Sequence, residues 1–221
     1  MEQKLTTLPI NKFDLLVSLY TFFIIVSELM GIKTFPLLHI GPVKLNASVA
    51  IFLLPFIYSI NDAIIEVFGV ARAKSVYRSG LLTIVLLILF SAFAISLPPS
   101  ARFMQTEKAY DLIFGQSIRI AIASITAFAL SDFMDIVIFD QITKKIGKKA
   151  LWLRNNASNF ISELFDTIIF MTLAFYAFNK PFGDNVSFLT SLIIPYWLLK
   201  CFMSVIETPL VYAVVKWLKK K

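Results

Sequence analysis

Ser131-Asp132-Phe133-Met134-Asp135-Ile136-Val137-Ile138-Phe139 and Ser162-Glu163-Leu164-Phe165-Asp166-Thr167-Ile168-Ile169-Phe170 follow one pattern. Each reads serine, acid, two apolar residues, aspartate, one variable residue, two apolar residues, phenylalanine, in register over nine positions at an offset of 31. In both copies the acids stand at i and i+3, neighbours on one helical face. A third stretch, Asn61-Asp62-Ala63-Ile64-Ile65-Glu66, spaces its acids at i and i+4, again on one face. An ionised carboxylate only accepts hydrogen bonds. It suits a cation, or a planar group offering two parallel N–H donors. Asn and Ser add adaptable partners, and Phe or Trp can stack on a flat ring. Trp152-Leu153-Arg154-Asn155-Asn156 lies between the two copies and places Arg154, Asn155 and Asn156 at the mouth of the same region.

These acids stand in very apolar surroundings. Of 221 residues 58% are hydrophobic and 16% charged, against about 25% charged in an ordinary soluble domain. Mean hydropathy is +0.78. So few charges cannot cover a water-soluble globule of this size, and the same numbers exclude disorder. The class left is an all-α polytopic membrane protein. Six stretches have the ~20 mostly apolar residues of a spanning helix: 14–33, 43–61, 79–98, 117–140, 158–178 and 187–216. The runs are continuous, unlike the ~10-residue alternating segments of a membrane barrel. Connections are short, so the reading is a single transmembrane domain over 1–221. The polar tip MEQKLTTLPINK has no small-residue cleavage site, and the first span reads as a retained helix. Asn46, near the start of the second span, reads as a cap.

Loop cations set the orientation. Lys4, Lys12, Arg72, Lys74, Arg78, Lys144, Lys145, Lys148, Lys149, Arg154, Lys216, Lys219, Lys220 and Lys221 fall on one side, fourteen in all. Six, Lys33, Lys44, Arg102, Lys108, Arg119 and Lys180, fall on the other. With an even span count, both termini are expected in the cytoplasm. The KKIGKK run serves topogenesis, with anionic lipid as the alternative partner.

An Asp or Lys at a helix centre costs about 2.5–3.5 kcal/mol on insertion scales. Buried carboxylates therefore require partners or water. Counted from the expected inner helix ends at 1.5 Å per residue, both acid pairs lie roughly 7–12 Å below the cytoplasmic surface. The expectation is one polar cavity shared by spans 2, 4 and 5. Private pairing for folding is the alternative, and so is an anchoring role for Arg154. Repeats in transporters commonly place the binding site at their interface. Glu28 and Glu207 are lone acids. Lys200 precedes Glu207 by seven residues, roughly 10 Å along one face and too far for a direct pair. Pro209 marks a kink.

The net charge of +7 does not imply nucleic acid, because the cations sit between apolar runs and at the C-terminus, not among interleaved aromatics. One cysteine (Cys201) and one histidine (His39) exclude a disulfide framework and a Cys/His metal site. No cofactor is expected. No GxxxxGK[ST] occurs, so the chain does not itself use ATP. It runs on a gradient or is the substrate-binding subunit of an energy-coupling-factor type machine. An intramembrane enzyme is the competing class, in which Asp132-x-x-Asp135 would hold Mg²⁺ through carboxylate oxygens. A structural or assembly protein is the third.

Four stretches resemble the bacterial queuosine-precursor transporters, the vitamin uptake transporter (VUT) family: 61-NDAIIEVFG-69 followed by Arg72, 131-SDFMDIVIF-139, 152-WLRNNAS-158 and 162-SELFDTIIF-170. The six-span plan also agrees. The resemblance implies uptake of 7-deazaguanines (preQ0, preQ1 or the base queuine) for tRNA modification. The small-molecule ligand and membrane lipid are the expected partners, and a homodimer is compatible. The family pattern reads Ser-Gln-x-x-Asp in these helices. Here Asp132 and Glu163 stand where Gln is expected, while Asp135 and Asp166 match. That makes the cavity more acidic, or lets an acid protonate and donate as Gln would. Asp135 and Asp166 are expected to contact ligand and Asp132 and Glu163 to tune selectivity. Ser131 opens the first motif. Asn61, Asp62, Glu66, Asn155 and Asn156 complete the cavity, with Arg154 pairing an acid.

Overall fold

The computed structural model describes residues 11–40, 43–146 and 151–220. Six α-helices and one β-hairpin follow in chain order. Helix α1, Lys12–Met30, starts where the Asn11 side chain accepts the Phe13 N–H at 2.8 Å, filling one of the orphan donors of the first turn. Strands β1 (Thr34–Ile40) and β2 (Val43–Ser48) pair antiparallel, with Thr34 opposite Ser48 and Ile40 opposite Val43 and a register shift between Pro36 and Leu38. A 3₁₀ turn, Val49–Phe52, leads into α2, Leu54–Phe68. Gly69 follows at φ 83°, a left-handed conformation that glycine reaches without a Cβ penalty. It joins α2 directly to α3, Val70–Ser96. Then come α4 (Glu107–Ile146), α5 (Leu151–Phe175) and α6 (Phe182–Lys219).

The all-α membrane class holds, with four segments among the described residues long and apolar enough to cross a bilayer: Lys12–Met30, Val70–Ser96, Glu107–Ser131 and Phe182–Phe202. Leu82, Leu86, Leu89, Phe90 and Phe93 project outward from α3, an apolar face suited to lipid tails. The helices differ from the expected spans chiefly in length. Forty residues in α4 and 38 in α6 reach about 60 Å and 57 Å, well beyond the ~30 Å hydrocarbon core. Arg72, Lys74 and Arg78, expected in a loop, lie in the first turns of α3.

The stretch 43–61, read as the second span, is not one helix. Residues 43–48 are strand β2, and α2 begins only at Leu54. The reason is local: Val43-Lys44-Leu45-Asn46-Ala47-Ser48 alternates apolar and polar residues strictly, the period of a strand with one buried face. Asn46 is accordingly not a helix cap. Its side-chain amide donates to Ser191 Oγ of α6 at 2.8 Å.

Three apolar clusters hold the bundle. Leu16, Tyr20, Ile60, Ile64, Ala73 and Val76 join α1, α2 and α3. Ala47, Ile51, Met171, Leu189, Leu192 and Tyr196 seat the hairpin on α5 and α6. Ile120, Ala123 and Ala174 join α4 to α5, where small residues let helix backbones approach closely.

Candidate functional site

Helices α4 and α5 run antiparallel side by side. Near one end Arg119 donates through Nε to the Leu173 carbonyl at 2.8 Å and through Nη2 to the Tyr176 carbonyl at 2.6 Å. A cation there meets carbonyls that the end of α5 leaves unpaired. Twelve residues further along α4, Ser131 Oγ donates to the Ser162 carbonyl at 3.1 Å. The leading serines of the two motifs thus mark the crossing point of the copies. From it the motifs diverge, because the helices are antiparallel. The backbone positions of Asp135 and Asp166, each four residues on, are about 12 Å apart along the axes.

Lys200, at the middle of α6, points at the α5 copy. Its Nζ lies 2.9 Å from Glu163 Oε2 and also donates to Asp166 Oδ2. The lysine side chain is 11% exposed, that of Asp166 22% and that of Glu163 41%. One cation therefore serves two carboxylates in an apolar bundle, a pairing that offsets the desolvation of all three groups. The sequence singled out both acids and missed their partner. Along its own helix the acid nearest in register to Lys200 is Glu207, which sequence spacing alone sets against it.

Asp166 and Lys200 line an internal cavity of about 150 Å³. Every helix except α3 contributes to its wall. Ser27 and Glu28 come from α1, Tyr58 from α2, Ser124 from α4, Thr167 from α5 and Tyr196 from α6. Ser48, at the end of β2, closes it from the hairpin side. That residue is fixed from two directions: its Oγ donates to the Gly31 carbonyl at 2.5 Å, and its carbonyl accepts from Tyr196 Oη at 3.2 Å. The wall mixes hydroxyls, a carboxylate pair and an ammonium with Phe170, Met171 and Ile120. Such a mixture holds a small polar molecule that also has apolar faces.

The other expected site residues are placed as follows. Glu163 lies beside the cavity, through its contact to Lys200; Ser131 meets the Ser162 carbonyl, and neither serine is in the wall. Asn61, Asp62 and Glu66 sit on α2 beyond Tyr58, with Asp62 and Glu66 exposed; from α2 the wall takes Leu54 and Tyr58 instead. The side chains of Asp132, Asp135, Arg154, Asn155 and Asn156, and that of Glu207, lie outside the described residues. Glu28, a lone acid by sequence, is in the wall. It is 5% exposed. Ser124 is hydrogen-bonded to its carboxyl group, and Oε2 has no partner. No repeat or spacing marks Glu28; the only signal is an acid within an apolar span.

A family model described as "Putative vitamin uptake transporter" matches residues 48–214. The chain belongs to this family. The matched segment begins at Ser48 and contains both acidic motifs, Tyr58, Tyr196 and Lys200. Two curated relatives of this transporter family are similar in sequence. A protein of Bacillus subtilis (strain 168), named "Probable queuosine precursor transporter", is 30% identical over 162 residues, 72% of this chain and 68% of the relative. One of Haemophilus influenzae (strain ATCC 51907 / DSM 11121 / KW20 / Rd) with the same name is 26% identical over 135 residues, 58% of this chain and 52% of the relative. The chain thus spans about half the length of that second relative. No solved structure matches the chain. As a member of the family the protein is a multi-pass membrane transporter, not an enzyme.

Proposed function

We propose that this transporter takes up queuosine precursors, 7-deazaguanine bases, across the bacterial inner membrane, using the cavity between α1, α2, α4, α5 and α6 as the binding chamber. The observation that carries the reading is the pair Asp166 and Lys200 in the wall of a cavity between the helices of an apolar bundle, with Glu163 joined to it through Lys200. Two relatives named as queuosine precursor transporters supply the substrate class. The cavity, about 150 Å³, is on the scale of a small-molecule site.

Asp166 faces this chamber and accepts N–H donors or a cationic substituent from the ligand. Lys200 holds it ready and offsets part of the negative charge of the empty site. Glu163 sets the balance of charge beside it. The first motif, Ser131 with Asp132 and Asp135, and the Arg154-Asn155-Asn156 stretch form the second part of the path. Asn61, Asp62 and Glu66 line its approach from α2. Transport is driven by a gradient and does not use ATP, in keeping with a chain that carries no nucleotide-binding motif.

The test is rescue of queuosine in tRNA. A strain that can neither make the precursor nor import it is given this gene and fed preQ0, preQ1 or queuine in turn. Rescue by at least one of them, abolished or reduced by more than about tenfold in Asp166→Asn, is the expected result; that factor corresponds to losing one hydrogen bond to a charged group. Failure with all three in a strain where the protein is present in the membrane would overturn the assignment.

A further inference from the structure

The carboxylate wall has a second side, formed by α1. Glu28 lines from there the same cavity as Asp166 and Lys200. It is 5% exposed, and its Oε2 is buried without a hydrogen-bond partner. The Ser124 side chain of α4 is hydrogen-bonded to its carboxyl group. Among the described residues no Lys or Arg stands within ion-pair distance of it, whereas the lysine in the wall is engaged by Asp166 and Glu163. A buried polar atom left unpaired is costly and rare in folded proteins. It is retained where something else completes it. The two oxygens of a carboxylate, one of them open, match a pair of parallel N–H donors on a planar molecule.

We propose that Glu28 is the residue that reads the ligand, accepting the ring N–H and the exocyclic NH₂ of a guanine-type base whose other side rests against Asp166 and Lys200. The assignment rests on the uptake reading above and adds to it a specificity-determining group on α1. Division of labour follows from the pairing. Asp166 and Glu163 share the single charge of Lys200. Glu28 has an open acceptor and so decides which bases are bound. A base with the ring N–H but without the exocyclic amine leaves one buried Glu28 oxygen unpaired. A base of the adenine type presents an acceptor where Glu28 needs a donor.

Binding to the purified full-length protein in lipid nanodiscs tests this, with 7-deazaguanine and 7-deazahypoxanthine as probes. The two differ only in the exocyclic amine. Wild type should bind 7-deazaguanine tighter by on the order of 10- to 100-fold, the effect of one hydrogen bond to a charged group. Glu28→Gln should bring the two affinities together, because its amide presents a donor where the second oxygen was. Glu28→Asp keeps both oxygens but not the reach, so both bases should weaken while the preference survives. It decides the matter if Glu28→Gln does not fold. A wild-type protein that binds both bases equally overturns the role of Glu28 and leaves uptake standing. So does a Glu28→Gln protein that keeps the preference, or a Glu28→Asp protein that loses it. A wild-type protein that binds neither base overturns the uptake reading and this assignment together.

Discussion

Lys200 is the residue on which the charge balance of the cavity turns, since two acids share it. Removing the lysine leaves both carboxylates uncompensated within the bundle, which costs more than the pair contributes when intact. Lys200→Met is expected to destabilise the protein by about 3 kcal/mol, read as a lowered Tm in detergent. Adding Glu163→Gln and Asp166→Asn to the same protein should restore most of that loss, since no charge then remains to be paired. A Lys200→Met protein as stable as wild type would show that water already neutralises the acids. The acids themselves were legible from sequence because their spacing repeats at 31 residues. Their partner was not. Helical periodicity reports which residues share a face of one helix, and Lys200 stands on a different helix, 34 residues from Asp166. The same limit hid Glu28, whose relation to Ser124 and Asp166 exists only once α1 packs against α4 and the cavity forms beside them.

Two glycines set how the elements meet. Gly80 of α3 faces α1: a Cβ there would come within 3.1 Å of Ile24 Cδ1 and 3.2 Å of Tyr20 Cε1. A larger side chain has to push the helices apart, so Gly80→Leu should cost about 1–3 kcal/mol through overpacking. Gly69 fails differently. Its surroundings are open, but at φ 83° any other residue pays roughly 1–2 kcal/mol of backbone strain. Gly69→Ala should therefore lower Tm by a comparable amount without disturbing packing, and combining it with Gly80→Leu should be additive, since the sites are independent. Thermal unfolding of the two single variants and the double variant checks both. At this scale the sequence was most informative where apolar runs were long and least where they were short. The uncharged run Gly80 to Leu97 lies almost wholly within α3. The hairpin was lost in the apolar content around it, although VKLNAS alternates; a window long enough to detect a span averages over a six-residue strand.

At the level of the whole molecule, the contacts sort the helix ends into two groups. Lys12, at the start of α1, donates to the carbonyls of Trp217 and Lys220 at the end of α6. Phe13 packs edge-on against Phe68 at the end of α2, ring centroids 4.7 Å apart, and Arg72 at the start of α3 lies over the same Phe13 ring. The beginning of α1, the end of α2, the beginning of α3 and the end of α6 therefore share one end of the bundle. At the opposite end Arg119 caps α5, and Asn185 of α6 exchanges hydrogen bonds with the backbone of Ala177. The first end gathers Lys12, Arg72, Lys74, Arg78, Lys216, Lys219 and Lys220; to the second belong Lys33, Lys44, Arg102, Lys108, Arg119 and Lys180. Cationic loop ends are retained on the cytoplasmic side during insertion, so the Lys12 end should face the cytoplasm and the Ala177–Lys180 connection the periplasm. Green fluorescent protein fused after Lys221 or before Met1 should fluoresce, because it folds only in the cytoplasm. Alkaline phosphatase fused after Lys180 should be active, because it folds only outside. A fluorescent fusion at one terminus and a dark one at the other would mean an odd number of crossings, which the Lys12–Lys220 contact does not permit. The reverse pattern at both termini would keep the bundle and turn it over, placing the Ser48 side of the cavity toward the cytoplasm.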